Sequence, residues 1–278
     1  MKDLNIVFVN YYGKEDLVKS VRSIFDDLKN SNLDVQVTVV DNSQNKDGVK
    51  QEVKAISEFI KYIDSGKNIG FGKANNLGFK ETKARYYCAL NGDTFIPKDK
   101  NTIGKIIKFL DENPKIGCVG PKLLNIDGTI QKSCYRFDKK SILIKPFKHI
   151  NWDKKYKWVK CHADKLTMED FDHNETRPVD WVLGAAIFVR GRVAEKTSFF
   201  DERYFMYLED CDWCLRMWEE GIPVYYFHEA EIYHGHERES AKVPGIFKAL
   251  FKNRLARIHL ASWIKYVWKW RKVYKFYN

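Results

Sequence analysis

Short apolar runs alternate with helix-like segments along the first half of the chain. The apolar runs predict strands near residues 5–10, 35–41, 59–64, 86–91 and 117–120. Between them, apolar residues at helical spacing predict a helix over about 14–30 and another that contains Ile103, Ile106, Ile107 and Leu110. A short helix is also expected after a glycine-punctuated turn, reaching to about residue 83. Strands that alternate with helices predict an α/β fold with a mostly parallel sheet covered on both faces. Ligands of such sheets bind at the carboxyl ends of the strands.

The second half of the chain is less regular. From Tyr135 to about Thr176 it is rich in lysine and tryptophan and shows no clear period, which indicates a surface excursion or a variable insert. Regular structure resumes with a predicted strand over Val182–Val189 and a helix from about Glu209. A further strand is expected to end at His234-Gly235-His236. We find no internal repeat.

The composition is that of a globular protein. The chain has 278 residues, of which 44% are hydrophobic and 31% are charged, enough for one large domain or two small ones. No apolar run approaches the roughly 18–20 residues that cross a bilayer. The N-terminus runs directly into a strand-like segment, so no signal peptide is expected and the predicted location is the cytoplasm. Cys211 and Cys214 lack a second pair, and their helical position favours buried, reduced thiols over a redox or zinc pair.

Positive charge is concentrated in the C-terminal tail. From Lys242 to Asn278 there are ten Lys or Arg residues and no Asp or Glu, whereas the whole chain has a net charge of +11. The interleaved aromatic residues are Phe247, Phe251, Trp263, Tyr266, Trp268, Trp270, Tyr274, Phe276 and Tyr277. This mixture suits an anionic membrane surface. The alternatives are a nucleic-acid partner, or a helix that packs on its own domain with a solvated basic face.

Polar residues cluster where the predicted strands end. They are Asn10, Asp41-Asn42, Asp64 and Asn91-Gly92-Asp93. No G-x-G-x-x-G follows the first strand and no Gly-Lys precedes Ser or Thr, which excludes the dinucleotide-binding and P-loop motifs. A nucleotide diphosphate would therefore be held through a divalent metal, and Asp93 is the best-placed carboxylate for Mg²⁺ or Mn²⁺. The alternative is a simple Asn-Gly-Asp turn.

Two further clusters carry candidate chemistry. Glu209-Asp210-Cys211-Asp212 begins the predicted helix, and because the apolar stripe faces the core, Asp210 is expected to point away from it at the helix mouth. A carboxylate there could accept a proton from an attacking hydroxyl, or it could simply complement the helix dipole. His234, followed by His236 and Arg238, offers a metal ligand or a phosphate contact, the alternative being a structural histidine.

Nine short segments combine into a family resemblance over roughly residues 4–240. In the first half they are Val9-Asn10-Tyr11-Tyr12, Val39-Val40-Asp41-Asn42-Ser43, Asn68-Ile69-Gly70-Phe71-Gly72, Asn75-Asn76-Leu77-Gly78, Leu90-Asn91-Gly92-Asp93-Thr94 and Gly117-Cys118-Val119-Gly120-Pro121-Lys122-Leu123. In the second half they are Val179-Asp180-Trp181-Val182-Leu183-Gly184-Ala185, Phe200-Asp201-Glu202-Arg203-Tyr204-Phe205-Met206-Tyr207 and Glu209-Asp210-Cys211-Asp212. Together they resemble the family 2 inverting glycosyltransferases of the GT-A fold, especially the bacterial rhamnosyltransferase-like branch that builds O-antigen, capsule and cell-wall polysaccharide. That branch usually has Asn-Pro-Asp where this chain has Asn91-Gly92-Asp93, and glycine frees the turn that proline would stiffen.

The resemblance implies a role for each candidate residue. Asp93 matches the last Asp of the family's metal-binding motif, His234 matches its late histidine near the metal or diphosphate, and Asp210 matches the catalytic base. The residues expected near the nucleotide are Asn10, Asp41, Asn68, Gly70, Phe71 and Asn91. The residues expected to flank the acceptor and the sugar are Asp180, Trp181, Gly184 and Glu209.

The resemblance also implies an activity and a domain plan. The expected reaction is inverting and metal-dependent, with dTDP-rhamnose as the best donor prediction and a hydroxyl of a lipid-linked glycan as acceptor, in surface polysaccharide synthesis. A UDP-hexose or galactofuranosyl transferase, or a catalytically silent nucleotide-sugar-binding protein, is the alternative. The predicted GT-A domain covers 1–240, with a nucleotide-binding half over about 1–125 and an acceptor half over about 126–240, and a basic helical tail covers 241–278. Besides donor and acceptor, the inner face of an anionic membrane is an expected partner, nucleic acid is not, and a homodimer is left open.

Overall fold

The computed structural model describes residues 1–137, 143, 156–235 and 253–273. The helices are α1 (Lys14–Leu28), α2 (Val49–Ile56), α3 (Phe71–Lys80), α4 (Thr102–Glu112), α5 (Lys157–Leu166), α6 (Gly191–Lys196), α7 (Glu209–Glu219) and α8 (Arg254–Trp270). The strands are β1 (Lys2–Asn10), β2 (Val35–Asp41), β3 (Lys61–Asp64), β4 (Ala84–Leu90), β5 (Thr94–Phe95), β6 (Cys118–Leu124), β7 (Ile130–Gln131), β8 (Cys134–Tyr135), β9 (Arg177–Pro178), β10 (Trp181–Val182), β11 (Ala186–Arg190) and β12 (Val224–His234).

One large sheet organises the molecule. Its strands lie in the order β3-β2-β1-β4-β11-β6-β12-β5, with β7 paired to β6 and β9 to β12. The strands β3, β2, β1 and β4 run parallel to one another, β11 runs antiparallel to both β4 and β6, and β12 is parallel to β6. The predicted α/β fold with a mostly parallel sheet is therefore confirmed. The carboxyl ends of β1, β2, β3 and β4 meet at one edge, as parallel pairing requires.

The core lies on both faces of this sheet. Along β1, Ile6 and Phe8 pack into one apolar cluster and Val7 packs into the other, so successive side chains of one strand serve both faces. A strand covered on both sides needs a continuous apolar run, which is what the sequence shows here. Helix α3 crosses β1 so closely that a Cβ on Gly78 would lie 2.5 Å from Val7 Cγ1. The glycine therefore permits this helix–sheet contact.

Three local predictions differ from the structure. The single strand predicted over Val182–Val189 is wrong, because β10 and β11 are separated by a turn at residues 183–185. Helix α2 was not predicted, since its eight residues are too few to show a clear period. The apolar stripe expected on α7 is present, with Cys211, Cys214 and Leu215 buried, but Glu209, Asp210 and Asp212 are buried as well, which was not predicted. Cys211 and Cys214 are buried free thiols, as predicted.

The C-terminal helix α8 packs against the main domain. Ser262, Tyr266 and Trp270 are its buried residues, and the last two join the same apolar cluster as α7. Its N-terminus is capped by the Asn253 side chain, which accepts hydrogen bonds from the N–H groups of Leu255 and Ala256. The expected helical tail is thus present over 254–270. The expected domain boundary at 240/241 and the tail aromatics Phe247, Phe251, Tyr274, Phe276 and Tyr277 lie outside the described residues.

Two other expectations concern parts of the chain away from the sheet. The lysine- and tryptophan-rich segment contains α5, while 138–142 and 144–155 lie outside the described residues. In the described part of the chain, no helix combines the length and the apolar character needed to span a bilayer. This agrees with the absence of a long apolar run in the sequence.

Candidate active site

Asn10 and Asp41 end the neighbouring strands β1 and β2 and are joined directly. Asn10 Nδ2 donates to Asp41 Oδ1 at 2.9 Å, and both residues are buried. The Asp41 carboxylate accepts five hydrogen bonds, including those from Ser43 and the Tyr62 hydroxyl. Burial by itself would raise the pKa of Asp41, but the hydrogen bonds from Ser43 and Asn10 outweigh it and lower the pKa. Asp41 therefore stays ionised and organises the loop at residues 42–47.

A second loop lies beside this pair, after β3. Asn68 Oδ1 accepts from Asn42 Nδ2 at 3.3 Å and from the Gly70 N–H at 3.0 Å. Gly70 has φ +89°, and a Cβ there would lie 2.3 Å from Phe205 O. Only glycine fits this position, since both the backbone conformation and the available space exclude a side chain. The Phe71 N–H donates to the same Phe205 oxygen at 2.8 Å, which joins this loop to the segment that precedes α7.

The turn after β4 carries Asp93. Thr94 Oγ1 donates to Asn91 O at 2.6 Å, and the Thr94 N–H contacts the same oxygen at 3.3 Å, so the 91–94 turn is closed by hydrogen bonds. The Gly235 N–H donates to Asp93 O at 2.8 Å. These hydrogen bonds, from the Thr94 side chain and from the residue after β12, restrain the turn in place of the proline that the family usually has at the position of Gly92.

His234 is brought next to Asp93 by the pairing of β12 with β5. His234 lies opposite Thr94 in that ladder, and its Nε2 is 3.4 Å from Asp93 Oδ1. The imidazole is 2% exposed, whereas the Asp93 side chain is 33% exposed. Asn91 Nδ2 lies 3.3 Å from the same Nε2. The structure thus brings together His234 and the Asn91–Asp93 turn, which were predicted at two separate strand ends; His236 and Arg238 lie outside the described residues.

Asp210 lies in the first turn of α7 and is held by backbone donors. Its Oδ2 accepts from the Gly184 N–H at 2.8 Å, and its Oδ1 accepts from the Cys211 N–H at 2.7 Å. The side chain is buried, at 8% exposure, so it does not lie open at the helix mouth as the sequence predicted. Just before it, Tyr207 and Leu208 have φ of 73° and 69°. Two successive side-chain-bearing residues in the left-handed region are a strained entry to a helix, a feature that concentrates at functional sites.

A line of contacts connects Asp210 to the Asp93–His234 pair. The Asn91 N–H donates to Ala185 O at 2.9 Å, and the adjacent Gly184 N–H donates to Asp210. Asn91 also reaches His234 through its side chain. The turn at 183–185, which interrupts the predicted strand, is therefore the piece that places the α7 carboxylate beside the end of β4.

Two other predicted acceptor residues, Asp180 and Trp181, lie immediately before and at the start of β10, which pairs with β8. Trp181 stacks on Tyr135, with ring centroids 4.2 Å apart and planes inclined by 18°. Asp180 accepts a hydrogen bond from the Phe137 N–H, and burial raises the pKa of Asp180. Glu209 is buried at the start of α7, next to Asp210. Asp180 and Trp181 thus follow β9 on the chain segment that leads into the 183–185 turn.

Two residues of the site gave no sequence signal. Asp47 accepts a hydrogen bond from Asn10 Nδ2 at 2.9 Å. It lies in a loop with several polar, turn-forming residues, and the sequence does not show which of them contacts Asn10. Gln131 Oε1 lies 2.7 Å from His234 Nδ1, although the two residues are 103 positions apart. Nothing in a single sequence couples positions so far apart, so only an alignment with covariation could have found this pair.

Comparison with known proteins places the chain among sugar transferases. A family model described as glycosyl transferase family 2 matches residues 5–174. The low-salt glycan biosynthesis hexosyltransferase Agl10 of Haloferax volcanii is 25% identical over 81% of this chain and 64% of its own length. An N-acetylglucosaminyl-diphospho-decaprenol L-rhamnosyltransferase of Mycobacterium tuberculosis is 25% identical over 83% and 74%, and the rhamnosyltransferase WbbL of Escherichia coli is 26% identical over 94% and 91%. The chain therefore spans less than two thirds of the Haloferax protein.

Solved structures share the fold. The crystal structure of S. aureus TarS 1-349 superposes with a TM-score of 0.57 at 14% identity, covering 84% of this chain and 60% of that one. The structure of GalNAc-T7 with UDP, GalNAc and Mn²⁺ gives a TM-score of 0.61 at 12% identity, covering 84% and 43%. At these identities the likeness concerns the fold alone, and it confirms the predicted GT-A architecture.

Proposed function

The chain belongs to glycosyl transferase family 2, and from that membership we propose that it is an inverting, metal-dependent sugar transferase with Asp210 as its base. The observation that carries the proposal is the line of contacts from Asp210 through Gly184, Ala185 and Asn91 to His234. An acceptor hydroxyl beside Asp210 would then lie near a diphosphate held at the end of β4. This is the arrangement that a direct displacement requires.

Asp93 and His234 fit a divalent cation. Two ligand atoms about 2.1 Å from one ion in adjacent octahedral positions lie roughly 3.0 Å from each other. Asp93 Oδ1 is 3.4 Å from His234 Nε2, so a small side-chain adjustment would bring both atoms onto one ion. Within 1–137, 156–235 and 253–273, no group of three or more His, Cys, Asp or Glu side chains is arranged to hold a metal. Asp93 and His234 would each supply one ligand, and diphosphate oxygens and water would contribute to the shell of Mg²⁺ or Mn²⁺. A cation there would offset the charge that develops on the leaving diphosphate.

Asp210 is proposed to take the proton of the acceptor hydroxyl. The Gly184 and Cys211 N–H groups hold both carboxylate oxygens, so the base is oriented before substrates arrive. As the acceptor oxygen bonds to the anomeric carbon, the bond from that carbon to the diphosphate oxygen breaks, and the hydroxyl proton passes to Asp210. A single displacement inverts the configuration and needs no second carboxylate nucleophile.

For the substrates, we propose dTDP-rhamnose as donor and a lipid-linked glycan as acceptor. Two of the relatives are named rhamnosyltransferases, and the Mycobacterium relative is named for a decaprenol-linked acceptor. On the nucleotide side, Asn68, Gly70 and Phe71 would border the donor, while Asn10 and Asp41 would act through the 42–47 loop that they hold. Asp180 and Trp181 would border the acceptor. A UDP-linked hexose or galactofuranose is the alternative donor, which a panel of nucleotide sugars in a thermal-shift assay with Mn²⁺ would distinguish.

The outward face of α8 is proposed to meet an anionic membrane. Trp268 and Ile264 are 68% and 54% exposed, and the Arg271 guanidinium lies 4.0 Å from the Trp268 ring centroid. Exposed aromatic and cationic residues on one helix suit the headgroup region of an anionic bilayer. We expect binding to phosphatidylglycerol vesicles but not to phosphatidylcholine vesicles. Replacing both Trp268 and Ile264 with serine should abolish it, and binding that survives this change would exclude α8 as the contact.

The decisive experiment on the activity is Asp210→Asn. Asparagine keeps one acceptor for the Gly184 N–H but cannot take a proton, so donor binding should persist while transfer falls at least about 1,000-fold. Glu219→Gln, at the exposed far end of α7, is the matched control and should transfer normally. Near-normal turnover by Asp210→Asn would refute the base, and undiminished transfer in EDTA would refute the metal. Donor binding by the wild-type protein without transfer to any acceptor would favour a silent nucleotide-sugar-binding protein.

A further inference from the structure

Gln131 lies behind His234, on the side of the imidazole opposite Asp93. Its Oε1 is 2.7 Å from His234 Nδ1, while Asp93 and Asn91 approach Nε2. Gln131 belongs to the two-residue strand β7, and both it and His234 are buried, at 9% and 2% exposure. A buried amide against one ring nitrogen determines which nitrogen carries the proton, provided that the amide itself has a fixed orientation.

A chain of hydrogen bonds fixes that orientation, starting at Asp127. The Thr129 hydroxyl and N–H both donate to Asp127 Oδ1, and the hydroxyl bond lowers the pKa of Asp127. At neutral pH this carboxylate only accepts, so the single hydroxyl proton of Thr129 is committed to it. The Thr129 oxygen must then accept from Asn125 Nδ2, which lies 2.8 Å away.

The same order of donor and acceptor continues along the hydrogen bonds that lead to His234. With its Nδ2 donating to Thr129, Asn125 turns its Oδ1 toward Gln131, whose Nε2 donates to it at 3.0 Å. Gln131 Oε1 therefore faces His234 Nδ1 and can only accept. Every bond in the series has one permitted direction, set by an exposed carboxylate in the turn between β6 and β7.

We propose that Gln131 is a positioning residue that keeps the proton of His234 on Nδ1 and presents the Nε2 lone pair toward Asp93. Without this amide, the imidazole could place its proton on Nε2 and its lone pair away from the site. The consequence for metal binding rests on the proposed function, because a divalent cation shared with Asp93 requires a lone pair on Nε2. The tautomer assignment itself concerns the protein alone.

The test compares two variants by NMR of protein labelled with ¹⁵N in the histidine rings, recorded without metal at a pH where the imidazoles are neutral. Gln131→Met removes the acceptor at similar volume, whereas Gln131→Glu retains an acceptor toward Nδ1. The chain has 7 histidines, and the His234 signal is identified by its loss in His234→Gln. The matched control is Gln51→Met on the exposed surface of α2.

Wild type, Gln131→Glu and Gln51→Met are expected to show the proton on Nδ1, and Gln131→Met is expected to shift it wholly or partly to Nε2. In the same samples, the Mn²⁺ concentration that broadens the His234 signal should rise about 10- to 100-fold in Gln131→Met and little in Gln131→Glu. A wild-type proton on Nε2, or an unchanged tautomer in Gln131→Met, would overturn the proposal. If the tautomers behave as expected but Mn²⁺ never broadens His234 in the wild type, the positioning role stands and the proposed metal site fails.

Discussion

Among the contacts between α8 and α7, the helix that carries Asp210, we expect the ion pairs of Lys269 to contribute most to stability. Its ammonium lies 2.7 Å from Asp201 Oδ2 and 2.6 Å from Asp212 Oδ1. Asp212 is fully buried and lies on α7, two positions after Asp210, and Trp270 Nε1 donates to it at 2.8 Å. The perturbation is Lys269→Met, which keeps most of the aliphatic stem and removes the charge.

The magnitude follows from what remains around the two carboxylates. Removing the only partner of a buried charge costs about 3–5 kcal/mol. Here Arg216 still contacts Asp212 at 2.9 Å, and Arg203 still contacts Asp201. We therefore expect a loss of about 2–3 kcal/mol in the free energy of unfolding, which corresponds to a fall in Tm of about 4–10 °C for a protein of this size.

The assay is urea unfolding followed by tryptophan fluorescence, with Lys272→Met as the matched control. Lys272 is exposed just after α8, and its replacement should change stability by less than about 0.5 kcal/mol. The double variant Asp201→Asn/Lys269→Met should lose less free energy of unfolding than the sum of the losses of the two single variants. The reason is that a neutral amide at position 201 makes no ion pair with the ammonium. Equal stability of Lys269→Met and Lys272→Met would refute the view that α8 neutralises these carboxylates.

Two further predictions follow from the same region. A Cβ on Gly184 would lie 3.2 Å from Asp210 Oδ2. Gly184→Ala should therefore displace the Asp210 carboxylate and slow transfer about 10- to 100-fold, with little change in Tm. Normal turnover would show that the position of this carboxylate is not critical. Burial would raise the pKa of Asp201, but hydrogen bonds from Arg203 and Lys269 outweigh it and hold the pKa well below its ordinary value. The unfolded state then binds the proton more readily, so this stabilisation is complete above about pH 4 and is lost as the pH falls below it. A plot of Tm against pH should be flatter below about pH 4 in Asp201→Asn than in wild type, and parallel curves would contradict the assignment.

The sequence alone determined the fold class and the edge of the sheet where the site lies. The apolar run of β1 is long enough to identify a strand buried on both faces, and the alternation with helices then requires parallel pairing. Parallel pairing places Asn10, Asp41 and Asn91 at one edge, because every such strand points the same way. These inferences depend on short-range periodicity, which is written directly in the chain.

Only the tertiary structure decided how the candidate residues meet. The 183–185 turn was predicted as strand because its neighbours are apolar, yet its Gly184 and Ala185 backbone groups join Asp210 to Asn91. Burial of Asp210 was likewise missed, since a carboxylate in a first helical turn is ordinarily solvated. Both features arise from packing between distant segments.

The same reason applies to the supports of the site. Gln131 reaches His234 across 103 positions, and Lys269 reaches Asp212 across 57. A local pattern reports only which residues share a strand or a helical face. Which nitrogen of His234 bears a proton, and which cation neutralises a carboxylate on α7, depend on where separate elements come to lie in the folded chain, and one sequence holds no local signal for that.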